Sequence, residues 1–222
     1  MGYEATERRP LESRNLRIFQ QASRWLAEHH VSPNTISILG MIAGVLSGLA
    51  LAATAQWPEQ ALYFWLAGAV LIQLRLLANM LDGMVAVQSN RASAVGELYN
   101  EIPDRISDFA TLVGLGYASG GMPTLGWLAA WLAAMTAYIR AQGKAAGAAQ
   151  YFQGPMAKPQ RMALATATAV FCAFLPMKWQ VYQFDGHEVS LPAMALAIVC
   201  VGCVVTCVRR LLSIAHDLRS KA

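Results

Sequence analysis

Charge is scarce in this chain: 14 % of its 222 residues are Asp, Glu, Lys or Arg, against 56 % hydrophobic ones. The polar residues do not suffice for a soluble globule, and the apolar stretches recur along the whole length instead of gathering into one core. Cysteine and histidine are also sparse, four of each. Cys172 stands apart, and Cys200, Cys203 and Cys207 fall near one helical face with no partnering His or second Cys pair, which suits small buried residues better than a structural metal site. His29, His30, His187 and His216 are scattered as surface residues would be. Met1 to Pro10 lack an apolar core, so no signal peptide is expected.

What is present is a series of apolar runs of membrane-crossing length, since about 17 to 25 residues suffice for one helix. Six are read: Ile36 to Ala55, Ala61 to Gln88, Val95 to Ala118, Thr124 to Ala146, Met162 to Met177 and Leu191 to Ile214. Ahead of them Leu11, Leu16, Ile18, Phe19, Ala22, Trp25 and Leu26 recur at near-helical spacing among Arg and Gln. That pattern suits an amphipathic helix, lying along the membrane interface or packed on the domain's own cytoplasmic surface. The expected fold is all-α, one polytopic membrane domain over 1–222, with a cytoplasmic amphipathic segment at 1–31 and a six-helix transmembrane bundle at 32–222. Ser32-Pro33-Asn34 gives the start signal for the first span.

Loop charge sets the orientation. Arg8, Arg9, Arg14, Arg17 and Arg24 precede span one, Arg91 follows span two, Lys158 and Arg161 follow span four, and Arg209, Arg210, Arg219 and Lys221 lie near the C-terminus. The connections after spans one and three have no basic residue, and the one after span five has only Lys178. Both termini are therefore expected in the cytoplasm, in a bacterial inner membrane. The net charge of +4 then reflects topology and affinity for anionic membrane lipid, with no need of nucleic acid.

Against this apolar background, polar residues concentrate between Asn79 and Asp108. Ionisable residues are costly within a membrane and usually functional there. At 3.6 residues per turn, Arg75, Asn79, Asp82 and Ala86 share one side of a helix, and Gly96, Asn100, Asp104 and Asp108 one side of the next. Two such faces joined by a short hairpin converge on one volume. Asp and Asn oxygens are the donors that Mg2+ or Mn2+ prefers, so Asn79, Asp82, Asn100, Asp104 and Asp108 are the candidate metal ligands, for one or two ions. Gly83 and Gly96 would let a nucleotide approach helix backbone. Glu97, Glu101 and Arg105 are spaced for helix ion pairs, and Pro103 should bend the third span, with or without a catalytic purpose.

The run reads N-x-x-D-G-x-x-A-V, eight residues, G-x-x-x-N-x-x-x-D. It resembles the signature of the CDP-alcohol phosphatidyltransferases, D-x-x-D-G-x-x-A-R, eight residues, G-x-x-x-D-x-x-x-D, with Asn79, Val87 and Asn100 in place of Asp, Arg and Asp. The entry Ser32-Pro33-Asn34-Thr35-Ile36-Ser37 is also similar to that family's. The resemblance implies a phospholipid-synthesis transferase: an acceptor alcohol attacks a CDP-linked lipid such as CDP-diacylglycerol, and CMP leaves. It also implies Asp104 as general base, Gly83, Ala86 and Gly96 beside the CDP moiety, and a homodimer packed through the small residues of spans one, four and five. Arg140, Lys144, Lys158 and Arg161 would contact phosphate, unless membrane topology alone accounts for them. The departures leave open a catalytically altered protein that binds CDP-lipid or a protein partner without turnover. An ion pathway is a different class, and it would need acids nearer the bilayer midplane.

Overall fold

The computed structural model describes residues 17–89, 94–176, 179–184 and 187–221. Leu11, Leu16 and the basic residues Arg8, Arg9, Arg14, Arg91 and Lys178 of the preceding arguments lie outside the described residues, as do the side chains of Glu97 and His187. A short helix α1 (Arg17–Glu28) leads into six long ones: α2 (Pro33–Gln56), α3 (Ala61–Gln88), α4 (Ala94–Gly116), α5 (Pro123–Ala145), α6 (Lys158–Phe174) and α7 (Leu191–Lys221). Each long helix overlaps one apolar run of the sequence. Three segments, Pro33–Gln56, Pro58–Gln88 and Leu191–Lys221, are long and apolar enough to cross a membrane.

Local chemistry accounts for the starts. Ser32 is extended, and Pro33 takes the first helical position of α2, where its missing N–H costs nothing. Proline also opens α5 and sits in the first turn of α6. Two boundaries differ from expectation. α6 begins at Lys158, about one turn before Met162, because Pro159 favours a helix start there, and ends at Phe174. α7 runs on from Ile214 to Lys221, its last turns polar, with Lys221 bonded to Asp217 at 3.1 Å.

Between α6 and α7 lies a feature the apolar runs did not indicate. An antiparallel hairpin pairs β1 (Val181–Phe184) with β2 (His187–Ser190), with Tyr182 opposite Val189. Its strands are too short to show a clear two-residue alternation.

The core is built on Leu51, Trp65, Ile72, Leu112, Leu115, Met162, Leu196 and Val199, all nearly inaccessible. Large apolar side chains such as Leu39, Val70, Trp131, Phe171 and Val201 are exposed on the outer faces, a surface that water would not tolerate over so wide an area. α1 packs beside α3 while Ile18 and Trp25 remain exposed.

α2 is the helix that locks the bundle to the polar region. A Cβ built on Gly44 would lie 2.5 Å from Ser107 Cβ, and one on Gly48 2.2 Å from the Ala110 carbonyl oxygen. Glycine there lets helix backbones touch, as small residues do between membrane helices. Ser47 Oγ meets Thr111 Oγ1 at 2.7 Å along the same seam. The small residues of α2, α5 and α6 that were expected to support a dimer are thus largely buried inside one chain, Ala129, Ala133, Ala165 and Ala169 among them.

Candidate active site

α3 and α4 bring their polar faces into direct contact. Asn79 Nδ2 donates to Asn100 Oδ1 at 2.7 Å and to Asp104 Oδ1 at 2.9 Å, so one α3 side chain ties together the two α4 positions of the motif. Asp82 is 3 % exposed. Its Oδ2 accepts a hydrogen bond from Ser37 Oγ of α2 at 2.6 Å, whereas its buried Oδ1 has no hydrogen-bond partner. A buried anionic oxygen in that condition is rare and costly.

Cations from two other places reach the acids. Arg75, one turn before Asn79 and 2 % exposed, pairs with Asp104 Oδ1, and its Nε donates to Ser107 Oγ at 2.9 Å. Ser107 Oγ in turn donates to the Pro103 carbonyl at 2.6 Å. α4 continues as one helix through Pro103. From the start of α6, Lys158 Nζ lies 2.6 Å from Asp104 Oδ1 and 3.9 Å from Asp108 Oδ1. These are electrostatic approaches without the angle of a directed hydrogen bond, since Nζ makes none. Arg161 Nη2 bonds Asp108 Oδ2 at 2.9 Å, and its Nη1 bonds the Met156 carbonyl at 2.9 Å.

The loop before α6 is what presents Lys158 and Arg161. Arg210 of α7 donates to the carbonyls of Phe152, Gln153 and Thr136, spanning the loop and α5. Gly154 has φ +134°, and a Cβ on it would meet Thr206 at 2.4 Å, so both backbone and space require glycine. Thr206 Oγ1 also accepts the Met156 N–H at 3.1 Å.

Not every expected residue converges. Gly83 is buried beside Asp82, Ala86 is half-buried a turn further on, and Gly96 lies in the first turn of α4, its surroundings outside the described residues. Arg140 pairs instead with Glu101 at 2.6 Å and stacks its guanidinium 4.9 Å from the Phe152 ring centre. Glu101 also pairs with Arg105, as the helical spacing suggested. Lys144 is exposed at the end of α5. The cysteines are all free, three of them buried, as expected of small core residues. Two participants escaped the sequence reading: Ser37, whose relevance depends on where α2 packs, and Ser107, which had only its i+3 spacing from Asp104 to mark it.

Carboxylate and amide oxygens are the donor chemistry that suits a hard divalent ion. Asp82 and Asp108 each keep a buried carboxylate Oδ1 without a hydrogen-bond partner, and Asn79, three residues before Asp82 on the same helix, keeps a neutral side-chain oxygen. Asp104 and Asp108 are already met by Arg75, Lys158 and Arg161. Among the described residues, no three His, Cys, Asp or Glu side chains form a metal-holding group.

Residues 30–208 match the family model of the CDP-alcohol phosphatidyltransferases. The chain belongs to that family. A curated relative, the phosphatidylinositol phosphate synthase of Streptomyces avermitilis, is 28 % identical over 207 residues, 90 % of this chain and 79 % of that one. Among solved structures, the phosphatidylinositol phosphate synthase of Mycobacterium tuberculosis with CDP-DAG bound superposes with a TM-score of 0.69 at 24 % identity, over 90 % of this chain and 94 % of that one. The same enzyme in complex with manganese and citrate also gives 0.69, at 23 % identity over 88 % of each. At such identities the likeness establishes the fold. Membership makes this chain an integral membrane transferase and gives the Asn79–Asp104 segment a known pattern to depart from. Within that pattern Val87, at the place of the signature's Arg, is 56 % exposed, whereas Arg75 is buried against Asp104.

Proposed function

We propose that this CDP-alcohol phosphatidyltransferase moves a phosphatidyl or related phospho-alcohol group from CDP-diacylglycerol or a similar CDP-lipid to an acceptor hydroxyl, releasing CMP. The Asn79 bridge to Asn100 and Asp104 carries the reading, because it puts the family's two half-motifs on one site within hydrogen-bond distance. All six long helices then cross the bilayer, with α1 at the interface and both termini and the site on the cytoplasmic side of a bacterial inner membrane. The whole chain, 1–222, acts as one domain, and a homodimer would form through large outer side chains such as Leu39 and Trp131, since the small residues are used internally.

A bound Mg2+ or Mn2+ would neutralise diphosphate charge and help the leaving CMP. Asp82, with Asn79 and Asn100 as neutral oxygens, would hold it. The acceptor oxygen forms a bond to the β-phosphorus, the P–O bond to CMP breaks with its electron pair on CMP, and the acceptor's proton passes to a carboxylate. Asp104 is the candidate base. Its described donors all meet on Oδ1, which leaves Oδ2 for the proton. Arg161 and Lys158 face the same volume and are suited to a substrate phosphate.

The test is CMP release from CDP-diacylglycerol by purified protein with Mg2+ or Mn2+, across glycerol phosphate, inositol phosphate, serine and other alcohols. Release that depends on one acceptor supports the reading. The pairing of Asp104 and Asp108 with cations favours one second reading, a binding protein without turnover. Retained CDP-lipid binding with no CMP release from any acceptor would establish it.

A further inference from the structure

We propose that the polar end of α7 is a cradle that sets Lys158 and Arg161 against a substrate phosphate, with Ser213 and Asp217 as positioning residues that act through the loop before α6. The inference rests on the reading that those two cations meet a phosphate. Lys158 Nζ and Arg161 Nε are buried without a hydrogen-bond partner, which leaves donors for an anion. Their placement depends on residues 146–157, which join α5 to α6 and form neither helix nor strand. Backbone groups in such a stretch need partners from elsewhere.

α7 supplies them in register. Thr206, Arg210, Ser213, Asp217 and Lys221 recur every three or four residues and so lie along one side of the helix. Their partners run in the opposite sense. Thr206 takes the Met156 N–H and Arg210 the Gln153 and Phe152 carbonyls. Further along, Gln153 Nε2 donates to Ser213 Oγ, Asp217 Oδ2 accepts the Ala149 N–H at 2.7 Å, and Lys221 Nζ donates to the Gly147 carbonyl at 3.0 Å. The loop is thus laid antiparallel along about 22 Å of helix. Apolar contacts follow the same line, for Ala148 is buried with Ile139 and Ile214, and Tyr151 and Leu218 pack on them. Met156 carries the register into the site: Thr206 holds its N–H, and its carbonyl accepts from Arg161 Nη1 at 2.9 Å. Asp217 and Lys221 lie past the apolar run that ends at Ile214, so the extension of α7 is explained by what it holds.

Binding of inorganic phosphate to the detergent-purified full-length chain, measured by calorimetry, tests this. The double variant Ser213→Ala, Asp217→Ala is expected to bind phosphate on the order of 10-fold more weakly than the wild type, as misplaced contacts do. Asp217→Asn, whose amide oxygen still accepts the Ala149 N–H, is expected to keep wild-type affinity. Charge alone predicts the reverse for the double variant, because losing a negative group favours an anion. A cradle that only satisfies the loop's backbone would speed amide exchange at Ala149 and leave phosphate affinity as it is. That result overturns the proposal, and so does a wild type that binds no phosphate, or an affinity that survives Lys158→Gln unchanged. If the double variant does not fold, Asp217→Ala carries the comparison with Asp217→Asn. CMP release is scored separately: phosphate affinity that follows the cradle in a chain releasing no CMP refutes the transfer reading and leaves this inference standing, while CMP release with phosphate affinity indifferent to the cradle does the reverse.

Discussion

At the residue scale the site is a balanced set of buried charges, and balance makes each member costly to remove singly. Arg161→Met would leave Asp108 facing Lys158 at 3.9 Å without its guanidinium bond. A loss of about 3 kcal/mol is expected, because a stranded buried charge costs more than the pair contributes. Adding Asp108→Leu should return part of that loss, and a double-mutant cycle of thermal unfolding in detergent measures the coupling. Asp82→Asn keeps shape and removes a buried carboxylate charge that no described cation bonds directly, so CMP release should fall on the order of 100-fold or more with little change in folding; unchanged turnover would take Asp82 out of the metal site. The convergence of Asn79, Asp82, Asn100 and Asp104 was legible in the sequence because helical periodicity alone puts them on two faces. The partners of those acids were not. Lys158 and Arg161 read as topology first and as phosphate contacts second, and only the packing of α6 against the site shows that they sit on Asp104 and Asp108.

At the element scale, apolar run length located all six long helices, since each must bury or offer to lipid an unbroken apolar surface. Ala61–Gln88 was placed to the residue, and α2, α4 and α5 to within three. The misplaced start of α6 and the missed hairpin share a cause: both depend on short stretches in which the hydropathy signal is averaged away. α4 illustrates the opposite limit, for its charged residues dilute its hydropathy while belonging to the site. The α2–α4 seam gives the element-scale prediction. Gly48→Val should lower the unfolding temperature and cost roughly 1–3 kcal/mol or more, because the Cβ meets the backbone of Ala110 and no rotamer relieves it. Gly154→Ala should act differently, through the loop. It strains a backbone at φ +134° and displaces Lys158 and Arg161, so KM for a phosphorylated acceptor should rise alongside a modest loss of stability. An unchanged KM would confine Gly154 to a structural role.

At the scale of the whole molecule, loop 151–157 and the β1–β2 hairpin lie at opposite ends of α6. Six crossings would put them on opposite sides of the membrane. Single cysteines at Gln153 and Gln183, in a chain whose own four cysteines are replaced, should therefore differ in reaction with a membrane-impermeant thiol reagent added outside intact cells, only Gln183→Cys being labelled. Labelling of both would break the six-span scheme. The overall architecture was readable because lipid imposes long helices, whereas the tightness of particular seams was not, since it is set by pairs of residues distant in sequence. One of those seams constrains how a two-tailed substrate can arrive. Where the backbone of Gly114 would bring a Cβ within 2.2 Å of the Gly48 carbonyl oxygen, not even a methyl group fits, and a hydrocarbon chain cannot thread. α6, by contrast, meets α4 and α7 only sparsely. Acyl tails of the proposed donor would have to lie outside the α2–α4 seam, and entry along that sparser flank, beside the helix whose first residue is Lys158, would carry the diphosphate past the ammonium.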